Sequence, residues 1–255
     1  MNLPGYELRT LGYTVLPGLL SQAEVAALAG RMDRLLAEDD ARWGADRLTA
    51  IGQRGALRNL ADRGPEFERL LAAPALHDLS TDLMGADYRL HSYDGLVLKP
   101  GTGRYPWDFH TDLLGLCGVA FPAAVTPGVN CLVAVDESGS ANGATWLVPG
   151  SHRCVVTRLD PGELADLAIQ PRLRPGDMLF FDARIWHCAG HNGSRRARRL
   201  IKIELVQPWL RPQLDYARSV RQHVLDRLAP VARGCIGVPP PATVEEFWLA
   251  AERPP

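Results

Sequence analysis

The sequence predicts an α+β protein with its helices first and a β-sandwich or barrel after them. Two patterns carry that expectation. Over the first third of the 255-residue chain apolar residues recur every three or four positions, and from about Tyr88 they fall in short or alternating runs separated by Gly, Pro, Asn and Asp. A hydrophobic content of 46% at this length is enough for one sizeable core. No internal repeat or low-complexity segment interrupts the pattern.

Near the start, GYTVLPGLLSQAEVAALAGRMDRLLAEDD reads as a short strand, a turn at Pro17 and Gly18, and then a helix. Ser21 followed three residues later by Glu24 has the spacing of a capping box, in which each residue satisfies a backbone donor that a helix start leaves free. Val25, Leu28, Met32, Leu35 and Leu36 form the helix's apolar stripe. A second helical pattern (Phe67, Leu70, Leu71, Leu76, Leu79, Leu83) breaks at Pro74, which lacks the N–H a helix interior needs. The expected strands are YRLHSYDGLVLKPGTG, VNCLVAVDE, ATWLVPGSH, GDMLFFDARIWH and RRLIKIELVQPW. Residues 215–228 read as one more helix, and GCIGVPPPATVEEFWLAAERPP as a Pro-rich loop with a short terminal helix. The whole is read as one domain over 1–255. Within it, 1–87 is mainly helical support, 88–208 the β core and 209–255 a helical and Pro-rich extension.

A formal net charge of -1 leaves no electrostatic footprint for nucleic acid or an anionic membrane. The N-terminal MNLPGYELRT lacks the basic-then-apolar pattern of a secretory signal, and no apolar run approaches the roughly 18 residues that span a bilayer. A cytoplasmic protein is expected. Its five cysteines are odd in number and show no CxxC spacing, so they read as reduced thiols rather than disulfides or a thiolate zinc site. Oligomeric state is not legible.

The stretch WDFHTDLLG sets His110 and Asp112 two residues apart, a spacing that in an extended segment turns both side chains to one face and suits a metal ion. A third ligand falls among His152, His187 and His191. His187, closing the apolar run GDMLFFDARIWH, is the one a strand end could carry to a central site. Two histidines and one carboxylate with open positions make the facial triad of non-haem Fe(II) oxygenases. The same donors also build catalytic zinc sites, although HExxH is absent, so a zinc hydrolase is a rival reading. A barrel that binds a small ligand without turnover is another. In RRLIKIELV, Ile201, Ile203 and Leu205 share one face of a strand while Arg198, Lys202 and Glu204 share the other, more polar one.

The HxD pair, NGATWLVPGSH from Asn142 to His152 and WHCAGHNGSRRAR from Trp186 to Arg198 together resemble the phytanoyl-CoA dioxygenase family of Fe(II)/2-oxoglutarate-dependent oxygenases. With GYTVLPGLLSQAEV, the resemblance runs from about Gly12 to Pro208. It implies a double-stranded β-helix, a cupin-like jelly roll with N-terminal helices packed outside, so that 88–208 is the jelly-roll core. It also implies Fe(II) on His110, Asp112 and His187, with 2-oxoglutarate and dioxygen as co-substrates. Arg198, eleven residues after His187, would bind the far carboxylate of 2-oxoglutarate, for which a planar guanidinium suits by offering two parallel charge-assisted hydrogen bonds. Asn130 is the expected second contact. Several relatives carry Gln three residues before the first histidine, where this chain has Trp107. Trp107, Trp186, His191 and Asn192 are the residues expected to meet substrate, while His152 is expected to hold the PGSH turn. In related halogenases a small residue replaces the carboxylate of the HxD pair, so Asp112 implies hydroxylation or a related oxidation. The substrate class implied is a small molecule, and the absence of an evident acyl-CoA motif points to a natural-product intermediate.

Overall fold

The computed structural model describes residues 3–103, 105, 108–112, 121–122, 124–154, 160–237 and 243–245. Trp107, Cys117 and most of the expected terminal helix lie outside them. Among the described residues no helix is long and apolar enough to cross a membrane.

Helix α1 (Leu3–Thr10) precedes strand β1 (Tyr13–Leu16), and α2 (Gln22–Trp43) follows. The capping box starts α2 as the spacing predicts: the Glu24 amide donates to Ser21 Oγ, and the Ser21 amide donates to the Glu24 carboxylate at 2.8 Å. Val25, Leu28, Met32 and Leu35 of the stripe are buried. A short α3 (Ala45–Ala50) and β2 (Ala56–Leu57) come next. Pro74 divides the second helical pattern into α4 (Pro65–Leu71) and α5 (Pro74–Met84).

The β core contains β3 (Arg89–Leu98), β4 (Gly128–Ala134), β5 (Thr145–Leu147), β6 (Met178–Asp182), β7 (His187–Ala189) and β8 (Arg198–Val206). Six strands form an antiparallel sheet in the order β1-β6-β4-β8-β3-β2, and β5 pairs with β7 in a second sheet. Alternation assigns the two faces of the large sheet. Cys131, Val133, Phe180, Ile201 and Ile203 pack with Leu28, Met32 and Leu35 of α2 in the main apolar cluster. Leu132, Leu179, Phe181 and Leu200, one position out of step, pack with Leu147 of β5 in a second cluster between the sheets. The expected jelly roll of two facing sheets with helices outside one of them is what forms. Gly95 lets α2 lie close, since a Cβ there would meet Met32 Cε at 3.0 Å.

Two expectations are corrected. The run GDMLFFDARIWH is not one strand: β6 ends at Asp182, whose carboxylate accepts from the Arg184 amide at 2.9 Å and turns the chain, so His187 opens β7 in the opposite sheet. Residues 215–228 are not one helix but α7 (Tyr216–Ser219) and α8 (Gln222–Arg227), and α9 (Pro230–Ile236) follows them. Val220, extended and buried, breaks the first from the second. The sequence reading also missed α6 (Pro161–Leu167), although Asp160 caps it and proline opens it.

Candidate iron site

His110 and His187 sit on facing backbone segments joined by two hydrogen bonds, each amide donating to the other's carbonyl at 3.0 and 2.9 Å. Their ring centroids are 4.4 Å apart. One ligand atom from each of His110, Asp112 and His187 lies within 4.8 Å of the other two. His187 Nε2 is 3.5 Å from Asp112 Oδ2, and His110 Nε2 is 3.8 Å from Asp112 Oδ1.

The opposite ring nitrogens settle the tautomers. His110 Nδ1 is 2.7 Å from the Asp108 carbonyl and His187 Nδ1 is 3.0 Å from the Ile185 carbonyl. A carbonyl only accepts, so Nδ1 carries the proton in both and each Nε2 lone pair is left facing Asp112. That donor set fits Fe(II), with second partners fixing both imidazoles. Burial lowers the His187 pKa to about 4, outweighing the attraction of Asp112, so at neutral pH the ring is neutral and able to ligate. Burial alone would raise the Asp112 carboxyl, but His187, Lys202 and His110 and the Asn130 hydrogen bond hold it well below the usual carboxylate range.

Asp112 is held on both oxygens. Asn130 Nδ2 donates to Oδ2 at 2.6 Å and Lys202 Nζ donates to Oδ1 at 3.3 Å. Lys202 is also 3.1 Å from the buried Glu204, which accepts from Ser92 Oγ at 3.2 Å. In register Glu204 stands between Ser92 of β3 and Asn130 of β4, making one polar row across that face of the sheet. Lys202 and Glu204 lie on the side of β8 that the sequence marks as polar.

Arg198 is buried at the start of β8. Its Nε donates to the Asn142 carbonyl at 3.1 Å and its Nη2 to the Gly143 carbonyl at 2.6 Å, while burial lowers its pKa to about 10. The guanidinium stays charged at neutral pH.

The other expected residues divide. His152 packs in a 3-10 turn against Gly12, where a Cβ would meet its ring at 2.4 Å, and it is not one of the three grouped ligands. His191 is exposed, with Nδ1 3.3 Å from the Gly103 carbonyl. Asn192 is fully buried, donating to the Leu98 and Arg196 carbonyls and accepting from Ser194, and so organises the β7–β8 turn. Trp186 packs with Val148, Leu164 and Phe109. Tyr105, unremarked in sequence, stacks on Trp146 at 4.4 Å and meets Phe109 edge-on, so an aromatic group stands next to His110.

Residues 8–200 match the family described as phytanoyl-CoA dioxygenase (PhyH). The chain belongs to this family. Among relatives, it is 26% identical over 236 residues to the Fe(II)/2-oxoglutarate-dependent dioxygenase nvfF of Aspergillus novofumigatus, covering 89% of this chain and 78% of that one. It is 28% identical over 243 residues to the ectoine dioxygenase of Sphingopyxis alaskensis, covering 78% of each. The epimerase SnoN, solved with Fe3+, alpha ketoglutarate and nogalamycin RO, shares its fold with a TM-score of 0.59 and 24% identity over 80% of this chain and 82% of that one. This phytanoyl-CoA dioxygenase family member is an Fe(II)- and 2-oxoglutarate-dependent dioxygenase of small molecules, and His110, Asp112 and His187 form its candidate iron site. Membership weighs against the zinc-hydrolase and non-catalytic readings.

Proposed function

We propose that this protein hydroxylates an unactivated C–H bond of a small natural-product intermediate, with His110, Asp112 and His187 holding Fe(II) and Arg198 holding the far carboxylate of 2-oxoglutarate. The observation that carries this reading is the pair of imidazoles whose Nδ1 protons are committed to main-chain carbonyls, leaving both Nε2 lone pairs beside one carboxylate. Bound iron and 2-oxoglutarate supply the oxidation, in which dioxygen is reduced as the co-substrate loses carbon dioxide and becomes succinate.

The chain's own residues bind, orient and exclude water. Arg198 has two of its donors anchored on carbonyls, which fixes the guanidinium plane and leaves Nη1 and the second Nη2 hydrogen for the co-substrate. Asn130 uses one amide hydrogen on Asp112, and its second is the group offered to 2-oxoglutarate. Leu132, Leu147, Leu179 and Leu200 keep the space between the sheets apolar, which strengthens these charged contacts. Trp107, Trp186, His191 and the Tyr105–Trp146 stack are the substrate-side candidates. The carboxylate at Asp112 favours hydroxylation or a related oxidation over halogenation.

The test is anaerobic. Adding Fe(II) and then 2-oxoglutarate to the apoprotein should give a visible charge-transfer band, and admitting oxygen with a metabolite screen should give succinate in step with a product heavier by one oxygen. Activity with zinc and no such band would overturn the iron assignment. Succinate in step with a product lighter by two hydrogens would replace hydroxylation by desaturation or ring closure.

A further inference from the structure

We propose that Lys202 and Glu204 form a charge-neutral clamp on Asp112, in which Lys202 holds one carboxylate oxygen in place and Glu204 cancels the positive charge that would otherwise repel the metal. The clamp rests on the assignment of His110, Asp112 and His187 to iron.

Lys202 lies 3.3 Å from Asp112 Oδ1, so a positive charge stands in direct contact with the one anionic ligand of a dication site. Alone, that is a poor arrangement, because a buried cation lowers the affinity for any other cation that shares its counter-ion. Glu204 answers it. The residue is 1% exposed, sits 3.1 Å from Lys202 Nζ, and is held there by Ser92. The pair is formally neutral, yet it still presents an N–H donor to Oδ1. Asn130, with no charge of its own, donates to Oδ2 at 2.6 Å. One donor on each oxygen fixes the carboxylate plane and opposes chelation of the metal by both oxygens. Asp112 is thereby held as a single-oxygen ligand, and the other positions stay open.

Geometry makes the clamp a property of the sheet. Lys202 and Glu204 are two apart on β8 and so share the inner face, Ser92 and Asn130 are the direct cross-strand neighbours of Glu204, and no turn or loop residue is needed. These are positioning residues, acting through Asp112. The remaining Glu204 oxygen and the Asn130 carbonyl oxygen are buried without a protein partner, which gives the row spare acceptors for water.

The experiment measures Mn(II) affinity of the full chain by electron paramagnetic resonance of the free ion, without oxygen or co-substrate, on protein shown folded by circular dichroism. Glu204→Gln leaves Lys202 uncancelled and should weaken Mn(II) binding about tenfold or more. Lys202→Met should not weaken it, and should change the zero-field splitting pattern of the bound ion as Asp112 loses one donor. The double variant should return to within about threefold of the parent affinity while keeping the altered spectrum. A merely structural role would weaken both single variants alike, and that result overturns the proposal, as does parent affinity in folded Glu204→Gln. If Glu204→Gln fails to fold, the other two variants still decide, since weakened binding in either refutes the charge argument. A double variant that keeps Mn(II) affinity and spectrum but loses 2-oxoglutarate affinity would assign Lys202 to the co-substrate and overturn the clamp. Parent-like Mn(II) affinity in His187→Ala would instead sink the iron-site assignment itself.

Discussion

Ile203 and Glu204 are neighbours on β8 and equally buried, each 1% exposed, yet they belong to different parts of the protein. Ile203 points into the helix-packed cluster with Met32 and Leu35, whereas Glu204 points between the sheets toward Lys202 and Asn130. The pleat alone separates them. Burial therefore says little about role here: one face of the sheet packs against the helices, and the other, equally hidden, carries Lys202 and Glu204 in contact with each other and with the site.

Substitutions on the two faces should separate stability from chemistry. The largest effect is expected at the site: His187→Ala should abolish Fe(II) binding and lower succinate formation about a thousandfold or more, with little change in urea midpoint, whereas His191→Ala should keep its iron. Retained iron in His187→Ala would break the contrast. Across the strand, Ile203→Ala should cost about 2–5 kcal/mol in urea denaturation through the cavity it leaves, while the folded protein binds Fe(II) as before. A change in metal affinity there would show that the faces are coupled. Arg198→Ala should bind 2-oxoglutarate about tenfold to a hundredfold more weakly at unchanged iron affinity, read from titration of the charge-transfer band. Gly95→Ala, on the helix side, should cost about 1 kcal/mol, because the flexible end of Met32 must move and Leu57 must give by a few tenths of an ångström.

A last and smaller contrast comes with pH. His77, buried on the helix side between the Leu71 carbonyl and the Tyr88 hydroxyl, has its pKa lowered by burial. Below about pH 6.5 the unfolded chain takes up a proton that the folded chain resists, so this contribution to stability is complete above that pH and is lost as pH falls. His77→Gln should flatten the decline in urea midpoint between pH 7 and pH 5.5. An unchanged slope would place the acid sensitivity on the other face.

Much of this was legible in sequence because it depends on local pattern. The capping box of α2, the Pro74 break, the strand runs and the alternation in RRLIKIELV need only neighbours in the chain. The HxD pair and its distant histidine needed the family resemblance, since nothing local says which of His152, His187 and His191 returns to His110. The misreadings have one cause. Within GDMLFFDARIWH both halves are apolar, and only the Asp182–Arg184 contact reveals that the chain leaves one sheet for the other. Asn192 stands beside His191 in sequence, yet the structure uses its amide in the turn, which sequence alone does not reveal. The clamp was half visible, with Lys202 and Glu204 already on the polar face. What was missing was cross-strand register, which brings Asn130 of β4 opposite Glu204.

Register also dictates when the site can exist. β1 pairs with β6, His110 bridges to His187, and Asp112 meets Lys202 across 90 residues of chain, so the site joins segments far apart in sequence. Closure of such distant contacts is slow and comes after local helices have formed. A chain emerging from the ribosome therefore has its three candidate ligands together only after His187 has been made and brought back to His110, so metal capture is expected to follow pairing of the strands rather than to template it.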